Sequence, residues 1–210
     1  MGLQQFIGRQ LGRPSGAFGR LVMTRLLNHG NRELIESTLD VLALQKDECY
    51  LDVGFGGGGS LIKAARLVGE GKLYGVDFSP DVVVTGQQRM RSLITAGRLD
   101  LITADVADLP LRDAIADKVS TINTIYFWPD PQAAMRSLYR VIVPGGTLAV
   151  AFTGDEKMSD YGKVTEKGFT YYNANRVSAL MNEAGFVEVH SKTLSGRQTQ
   201  GDFIVSGKAT

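Results

Sequence analysis

A doubly wound, mostly parallel α/β sheet is the fold class this sequence predicts, and three observations carry it. Apolar runs of strand length alternate with helical patterns at short loop lengths from Cys49 onward. The first such run ends in an acid and opens into a glycine-rich turn, Asp52-Val53-Gly54-Phe55-Gly56-Gly57-Gly58-Gly59. Near the chain end, Phe186 to Ser191 and Asp202 to Lys208 alternate apolar and polar residues about a turn around Ser195 to Gly201, which suits an antiparallel ending to the sheet.

Two short helices are expected before the first strand. Phe18, Leu21, Val22 and Leu26 recur at helical spacing after Pro14, and Leu34, Ile35, Thr38, Leu39 and Leu42 do so beyond Asn31. They read either as a packing layer on the sheet or as a lid bringing Arg20, Asn28 or His29 to a ligand. Cys49 to Val53 is the first strand, and Leu61, Ala64, Ala65 and Val68 form the buried stripe of the helix after the glycines. Leu73 to Asp77 is the second strand. Ser79 then Pro80 is an N-cap followed by proline at the first helical position, starting a helix to about Ala96. The Val82-Val83-Val84 run inside it is poor for an isolated helix, so tertiary packing must hold it. Leu99 to Thr103 and Val119 to Asn123 are strands three and four. Pro131 opens a helix to about Val143, where Pro144-Gly145-Gly146 turns the chain into a fifth strand, Thr147 to Phe152. Tyr171 to Ala184 is a further helix that Gly185 ends.

At 210 residues, with 43% hydrophobic and 21% charged residues, the chain suits one globular domain, with 1–44 a helical cap and 45–210 the core. Twenty-three basic against 22 acidic residues leave +1, so no polyanionic partner such as nucleic acid is indicated. The charge is uneven: Arg9, Arg13, Arg20, Arg25 and Arg32 stand among the first 32 residues without one acid. Glycines and Pro14 interrupt that stretch, which argues against a helical targeting presequence. A single cysteine, Cys49, and two histidines offer neither a disulfide nor a protein-built metal centre, and a reducing cytoplasm fits. No membrane-spanning run is present in the sequence.

The chemistry collects at strand ends. Ligands of open α/β sheets bind beyond the carboxyl ends of the strands. Glycines at a strand-to-helix junction take positive φ and let a ligand approach main-chain N–H groups at a helix N-terminus. Gly54, Gly56 and Gly59 fit a G-x-G-x-x-G fingerprint, and Asp77 ends the next strand where a ribose-binding acid belongs. Its two oxygens can accept from both ribose hydroxyls, and Asp105 can accept from an adenine amine or cap a helix. Tyr126 and Trp128 are candidates for an apolar acceptor wall, with Phe127 read as core packing; Tyr161, Phe169, Tyr171 and Tyr172 are a candidate second wall.

With these residues the chain resembles the class I S-adenosylmethionine-dependent methyltransferases, in particular the small-molecule branch of quinone and sterol methyltransferases. A D-x-G-x-G-x-G motif is met by Asp52, Gly54, Gly56 and Gly58; acids after strands two and three by Asp77 and Asp105; P-G-G by Pro144, Gly145 and Gly146; and A-G-F by Ala184, Gly185 and Phe186. The resemblance covers roughly residues 45 to 207. It implies a Rossmann-like, mostly parallel seven-stranded sheet with an antiparallel C-terminal strand, capped by the two N-terminal helices. S-adenosyl-L-methionine is the implied cofactor, bound by Asp52, Gly54, Phe55, Gly56 and Gly58, by Asp77 on the ribose, Phe78 beside adenine, Asp105 and Val106 at its amino edge, and Asn123 near the methionine end. Phe55 and Gly57 depart from the family pattern, where a small residue and a hydroxyl residue are usual.

Methyl transfer from a sulfonium needs orientation more than acid–base help, so a base is optional; His29 is the candidate if the acceptor must lose a proton. No N-P-P-Y motif follows strand four, which argues against methylation of nucleic-acid bases. The expected protein is a cytoplasmic monomer or homodimer acting on a small, partly apolar acceptor. Two rivals stand beside it: a nicotinamide oxidoreductase, disfavoured by Asp105 and the antiparallel ending, and a non-catalytic protein that binds the same cofactor. A P-loop fails because each Gly-Lys pair precedes Leu73, Val164 or Ala209 instead of Ser or Thr.

Overall fold

The computed structural model describes residues 32–160 and 170–210. The first of the two expected N-terminal helices, together with Arg20, Asn28, His29, Tyr161 and Phe169, lies outside them.

Seven strands form one sheet: β1 (Tyr50–Val53), β2 (Leu73–Asp77), β3 (Leu99–Thr103), β4 (Ala116–Ile122), β5 (Ile142–Thr153), β6 (Val187–Thr193) and β7 (Asp202–Lys208). Their order is β3-β2-β1-β4-β5-β7-β6. Neighbours among the first five are parallel, and β7 alone is reversed, antiparallel to both β5 and β6. The helices are α1 (Arg32–Leu42), α2 (Gly59–Leu67), α3 (Pro80–Arg89), α4 (Arg91–Thr95), α5 (Pro131–Val141), α6 (Asp155–Asp160) and α7 (Ala174–Glu183).

Alternation along each strand divides the core into two layers. Leu51 and Val53 of β1, Val119 of β4, and Leu148, Val150 and Phe152 of β5 pack with Met135, Leu138, Val177 and Met181 of α5 and α7. Tyr50 of β1 and Ala149 and Ala151 of β5 face the other way, against Leu34 and Leu39 of α1, Leu61 and Ala64 of α2 and Val83 of α3. Period-two side-chain direction in strands buried on both faces produces this division. α1 is thus a packing layer on the sheet, the first of its two readings.

Local chemistry starts the helices where expected. The Ser79 side chain accepts from Val82 N ahead of α3, Asp130 from Ala133 N at 2.9 Å ahead of α5, and Asn173 from Arg176 N at 3.0 Å ahead of α7. Pro80 and Pro131 occupy first-turn positions whose N–H has no helical partner.

Several boundaries differ from the sequence expectation: β4 begins at Ala116 and α7 at Ala174, the helix Asp155–Asp160 is not among the expected elements, and three further differences have a visible cause. The helix from Ser79 breaks at Met90, whose side chain is buried beneath the glycine turn, leaving α3 and α4. Pro144-Gly145-Gly146 lies inside β5 as an irregularity: the register passes from Ala116↔Ile142 to Lys118↔Thr147, while Gly145 N donates to Ala209 O and Ala209 N to Gly146 O. Those two bonds keep the segment in the sheet. β4 stops at Ile122 because Asn123 leaves the extended region at φ +56°.

Replacing the α5 cap, Asp130→Ala, should lower unfolding free energy by about 1 kcal/mol, read from urea denaturation with an unchanged m-value.

Candidate cofactor site

Parallel pairing brings the carboxyl ends of five strands to one edge. Val53 lies beside Val76 and Thr121, Asp77 beside Thr103, and Ile122 beside Ala151. Gly54, Asp77, Asp105 and Asn123 follow directly on those pairs and converge on that edge.

The turn after β1 is built by left-handed glycines. Gly54, Gly56 and Gly58 have φ of +76°, +49° and +72°. A Cβ on Gly54 would stand 2.3 Å from Thr124 Cγ2, and one on Gly58 2.8 Å from Met90 Cε. Gly58 precedes α2 with no side-chain cap, so the first N–H groups of α2 are left for another acceptor. Arg89 braces the outside of the turn, donating from Nη1 to Gly57 O at 2.8 Å.

Asp77 closes the turn from the β2 side. Its Oδ2 accepts from Gly56 N at 3.0 Å and its Oδ1 from Ser79 N at 2.9 Å. Burial raises its carboxyl above the usual range, opposed by these two backbone bonds. Phe78, 49% exposed, follows it at the rim. Asp105 is exposed and caps the one-turn helix at Val106–Asp108, accepting from Ala107 N at 2.9 Å through Oδ1. Val106 is half-buried against the core. Asn123 Oδ1 accepts from Tyr126 Oη at 2.9 Å and from Thr153 N at 3.2 Å, which ties the ends of β4 and β5 together.

Four expected site residues turn inward. Asp52, 2% exposed, points into the layer of α2: its Oδ2 accepts from Ser60 Oγ, and its Oδ1 from Ser120 Oγ at 3.1 Å. Burial is the dominant cause that pushes its carboxyl up to about 6, against the two hydroxyl bonds. Phe55, 4% exposed, fills the space that Gly75 and Gly86 leave vacant, so only its backbone belongs to the turn. Tyr126 and Trp128, expected as an acceptor wall, are 5% and 7% exposed and pack in the core with α5. The Tyr126 hydroxyl is held between Asn123 and Thr153. Phe127, expected as core, is half-buried and packs against the core, edge-on to Tyr126 at 6.1 Å. A three-residue turn of 3₁₀ helix at Ile125–Phe127 reverses the pattern an extended segment would have had.

Sequence reasoning passed over Ser60, Ser120, Thr124, Met90 and Arg89. Ser60 and Thr124 flank motif residues and were within its reach, whereas Ser120 meets Asp52 only through the β1–β4 register.

Residues 51–150 match the family model described as a methyltransferase domain. Over those residues the chain carries a methyltransferase domain, and the sheet order and glycine turn above agree with the class I S-adenosylmethionine-dependent methyltransferases it resembles. Ubiquinone/menaquinone biosynthesis C-methyltransferase UbiE of Escherichia coli O1:K1 / APEC is 30% identical over 131 residues, 61% of this chain and 52% of that protein. The chain spans about half the length of the curated relatives it matches. A SAM-dependent methyltransferase from Aquifex aeolicus has a similar structure, with a TM-score of 0.71 at 22% identity over 91% of this chain and 98% of the other. Haemonchus contortus phosphoethanolamine N-methyltransferase 2, solved with S-adenosyl-L-methionine, superposes with a TM-score of 0.77 at 13% identity over 100% of this chain and 60% of the other. Likeness at these two identities concerns the fold.

Asp52 carries a stability consequence of definite sign. Its folded-state carboxyl near 6 lies above the reference 3.8, so the folded chain holds the proton more tightly than the unfolded chain. That stabilisation is complete below 3.8 and is lost as pH rises through about 6. Between pH 4 and 7 the stability of the parent should fall relative to Asp52→Asn, by on the order of 3 kcal/mol, in paired urea titrations.

Proposed function

We propose that this protein is a methyltransferase that moves the methyl of S-adenosylmethionine to a small, partly apolar acceptor, and that it works in the cytoplasm. The observation that carries the reading is the junction of the left-handed glycine turn with Asp77: a turn seated so closely on Thr124 and Met90 that Gly54 and Gly58 leave no room for a Cβ, beside a carboxylate fixed by two backbone amides. A nucleoside with an anionic tail fits such a donor set, with amides for the tail and a carboxylate for the hydroxyls.

When bound, the cofactor supplies an activated methyl on a sulfonium. The chain's part is to bind and orient. The backbone of Gly54 and Gly56 lies along the methionine and ribose portion in this reading. Asp77 keeps lone pairs for the ribose hydroxyls in addition to its two amide bonds. Phe78 offers an exposed ring to adenine, and Asp105 with Val106 its amino edge. Asn123, locked by Tyr126 and Thr153, stands at the methionine end as a rigid support. For the acceptor, Phe127 and Tyr171 now take the place first given to Tyr126 and Trp128, because Tyr171 is exposed and Phe127 is half-buried. Orientation at near-attack distance supplies several kcal/mol of rate enhancement, about 7 in favourable cases, so a base is needed only for an acceptor that loses a proton, and His29 is the candidate on chemical grounds. The UbiE relative, named as a C-methyltransferase of quinone biosynthesis, supports an acceptor of this partly apolar kind. Among the described residues no helix is long and apolar enough to cross a membrane.

Calorimetric titration with S-adenosylmethionine, S-adenosylhomocysteine and NAD tests the cofactor. The two adenosyl ligands should bind and NAD should not. Asp77→Ala should weaken both by about 100-fold, the scale of losing charge-assisted bonds to two hydroxyls; affinity retained in that variant, or binding of NAD alone, would reject the assignment.

A further inference from the structure

The turn that carries Asp105 is held at both ends by groups from elsewhere in the fold. Before it, Ala104 N donates to the Asp77 carbonyl at 3.1 Å. After it, Leu109 is buried and bound to α5 through both of its main-chain polar groups: its N–H donates to Ser137 Oγ at 3.1 Å, and its carbonyl accepts from Arg140 Nη2 at 2.6 Å. The other terminal nitrogen of the same guanidinium, Nη1, donates to Leu111 O and to Asp113 Oδ1, each at 2.7 Å. Two main-chain bonds extend the seam, Ala114 N to Arg140 O at 3.0 Å and Ile115 N to Val141 O at 2.9 Å. Between the two fixed points stand Asp105, Val106, Ala107 and Asp108, and they close on themselves: Ala107 N donates to Asp105 Oδ1 at 2.9 Å and Asp108 N to Asp105 O at 3.1 Å.

A basic residue in the last turn of a helix can bond that helix's own final carbonyls. Arg140 spends its fork on the loop between β3 and β4 instead, and three acceptors spread along that loop suit a planar guanidinium better than the single ammonium of a lysine. Ser137, buried, stands three residues earlier and so on the same face of α5. Asp105 itself is exposed, so its aim has to come from behind. A carboxylate held in one place tells a hydrogen-bond donor from an acceptor, because the wrong partner sets lone pair against lone pair; one that wanders does so less well.

We infer that Ser137 and Arg140 are positioning residues for base recognition: from the far side of the loop they set where Asp105 and Val106 stand, and thereby the preference for adenine over a base that carries oxygen in place of the exocyclic amine. This rests on the function proposed above, in which Asp105 and Val106 meet the amino edge of adenine. Both residues act through the loop. Their loss changes which base is accepted more than how firmly the ribose and amino-acid portions are held, since those portions meet Asp77 and the glycine turn.

Calorimetry on the full chain with S-adenosylhomocysteine and S-inosylhomocysteine, which differ only at the base, tests this. The parent should prefer the adenosyl ligand by roughly ten-fold or more, the scale of one hydrogen bond to a charged group. Ser137→Ala, which frees Leu109 N, and Arg140→Lys, which keeps the charge and loses the fork, should each cut that preference by about three-fold or more. In Asp105→Ala the preference should vanish, and adding Arg140→Lys should change nothing further, the non-additivity of residues that act through one another. Asp130→Ala, which weakens α5 at its other end, should leave the preference intact and so separates aim from stability. A preference unchanged in Ser137→Ala or in Arg140→Lys, or reduced as much by Asp130→Ala, would overturn the inference while the proposed function stood; if Arg140→Lys does not fold, Ser137→Ala decides. A parent that binds the two ligands equally would remove Asp105 from adenine recognition, and this inference with it. Failure of both to bind would remove the proposed function.

Discussion

The hydrogen bond from Gly56 N to the Asp77 carboxylate is the constraint on which the site's geometry depends. It joins two loops that leave adjacent parallel strands, and it exists only because Gly54, Gly56 and Gly58 hold φ values an L side chain rarely adopts. Gly54 N donating to Val76 O at 2.7 Å anchors the turn's beginning to the same strand. With both ends fixed, the first turn of α2 follows directly on the glycines and carries no side-chain cap. A ligand meets a preformed surface and does not have to order it.

Behind that surface the packing is unusually dependent on small residues meeting large ones. Phe55 lies under the turn only because Gly75 and Gly86 leave room for its ring, and Met90 presses close to Gly58. Glycines in β2 and α3 thus make the space that the phenyl group occupies. Met90, at the break between α3 and α4, is buried in the same arrangement. The end of β4 is organised by Asn123, whose left-handed backbone and locked amide precede the turn in which Tyr126 and Trp128 drop into the core.

Asp52 is a motif residue whose carboxylate hydrogen-bonds within the fold. A carboxylate in the α2 layer, gripped by Ser60 and Ser120, fastens the start of that helix to two neighbouring strands. Its burial disfavours the charged form, a loss of stability accepted at a position next to the glycine turn, which is where such costs are commonly found.

Strand and helix order, the glycine turn, the acids at Asp77 and Asp105 and the caps at Ser79 and Asp130 were legible in the sequence, because each is local: a few adjacent residues fix φ, cap an amide or end a strand. Strand boundaries for β2, β3 and β7 followed from period and flanking turn residues alone. Side-chain direction was legible only where that period persisted. It failed at Tyr126 and Trp128, where a turn of 3₁₀ helix intervenes, and at Asp52 and Phe55, whose surroundings come from Ser120, Gly75 and Gly86 far along the chain. The insertion of reversed β7 between β5 and β6, and the register that sets Asp52 beside Ser120, were likewise decided by the tertiary structure. Local sterics and hydrogen bonding are written residue by residue, whereas burial and pairing depend on which distant segments the hydrophobic core brings together.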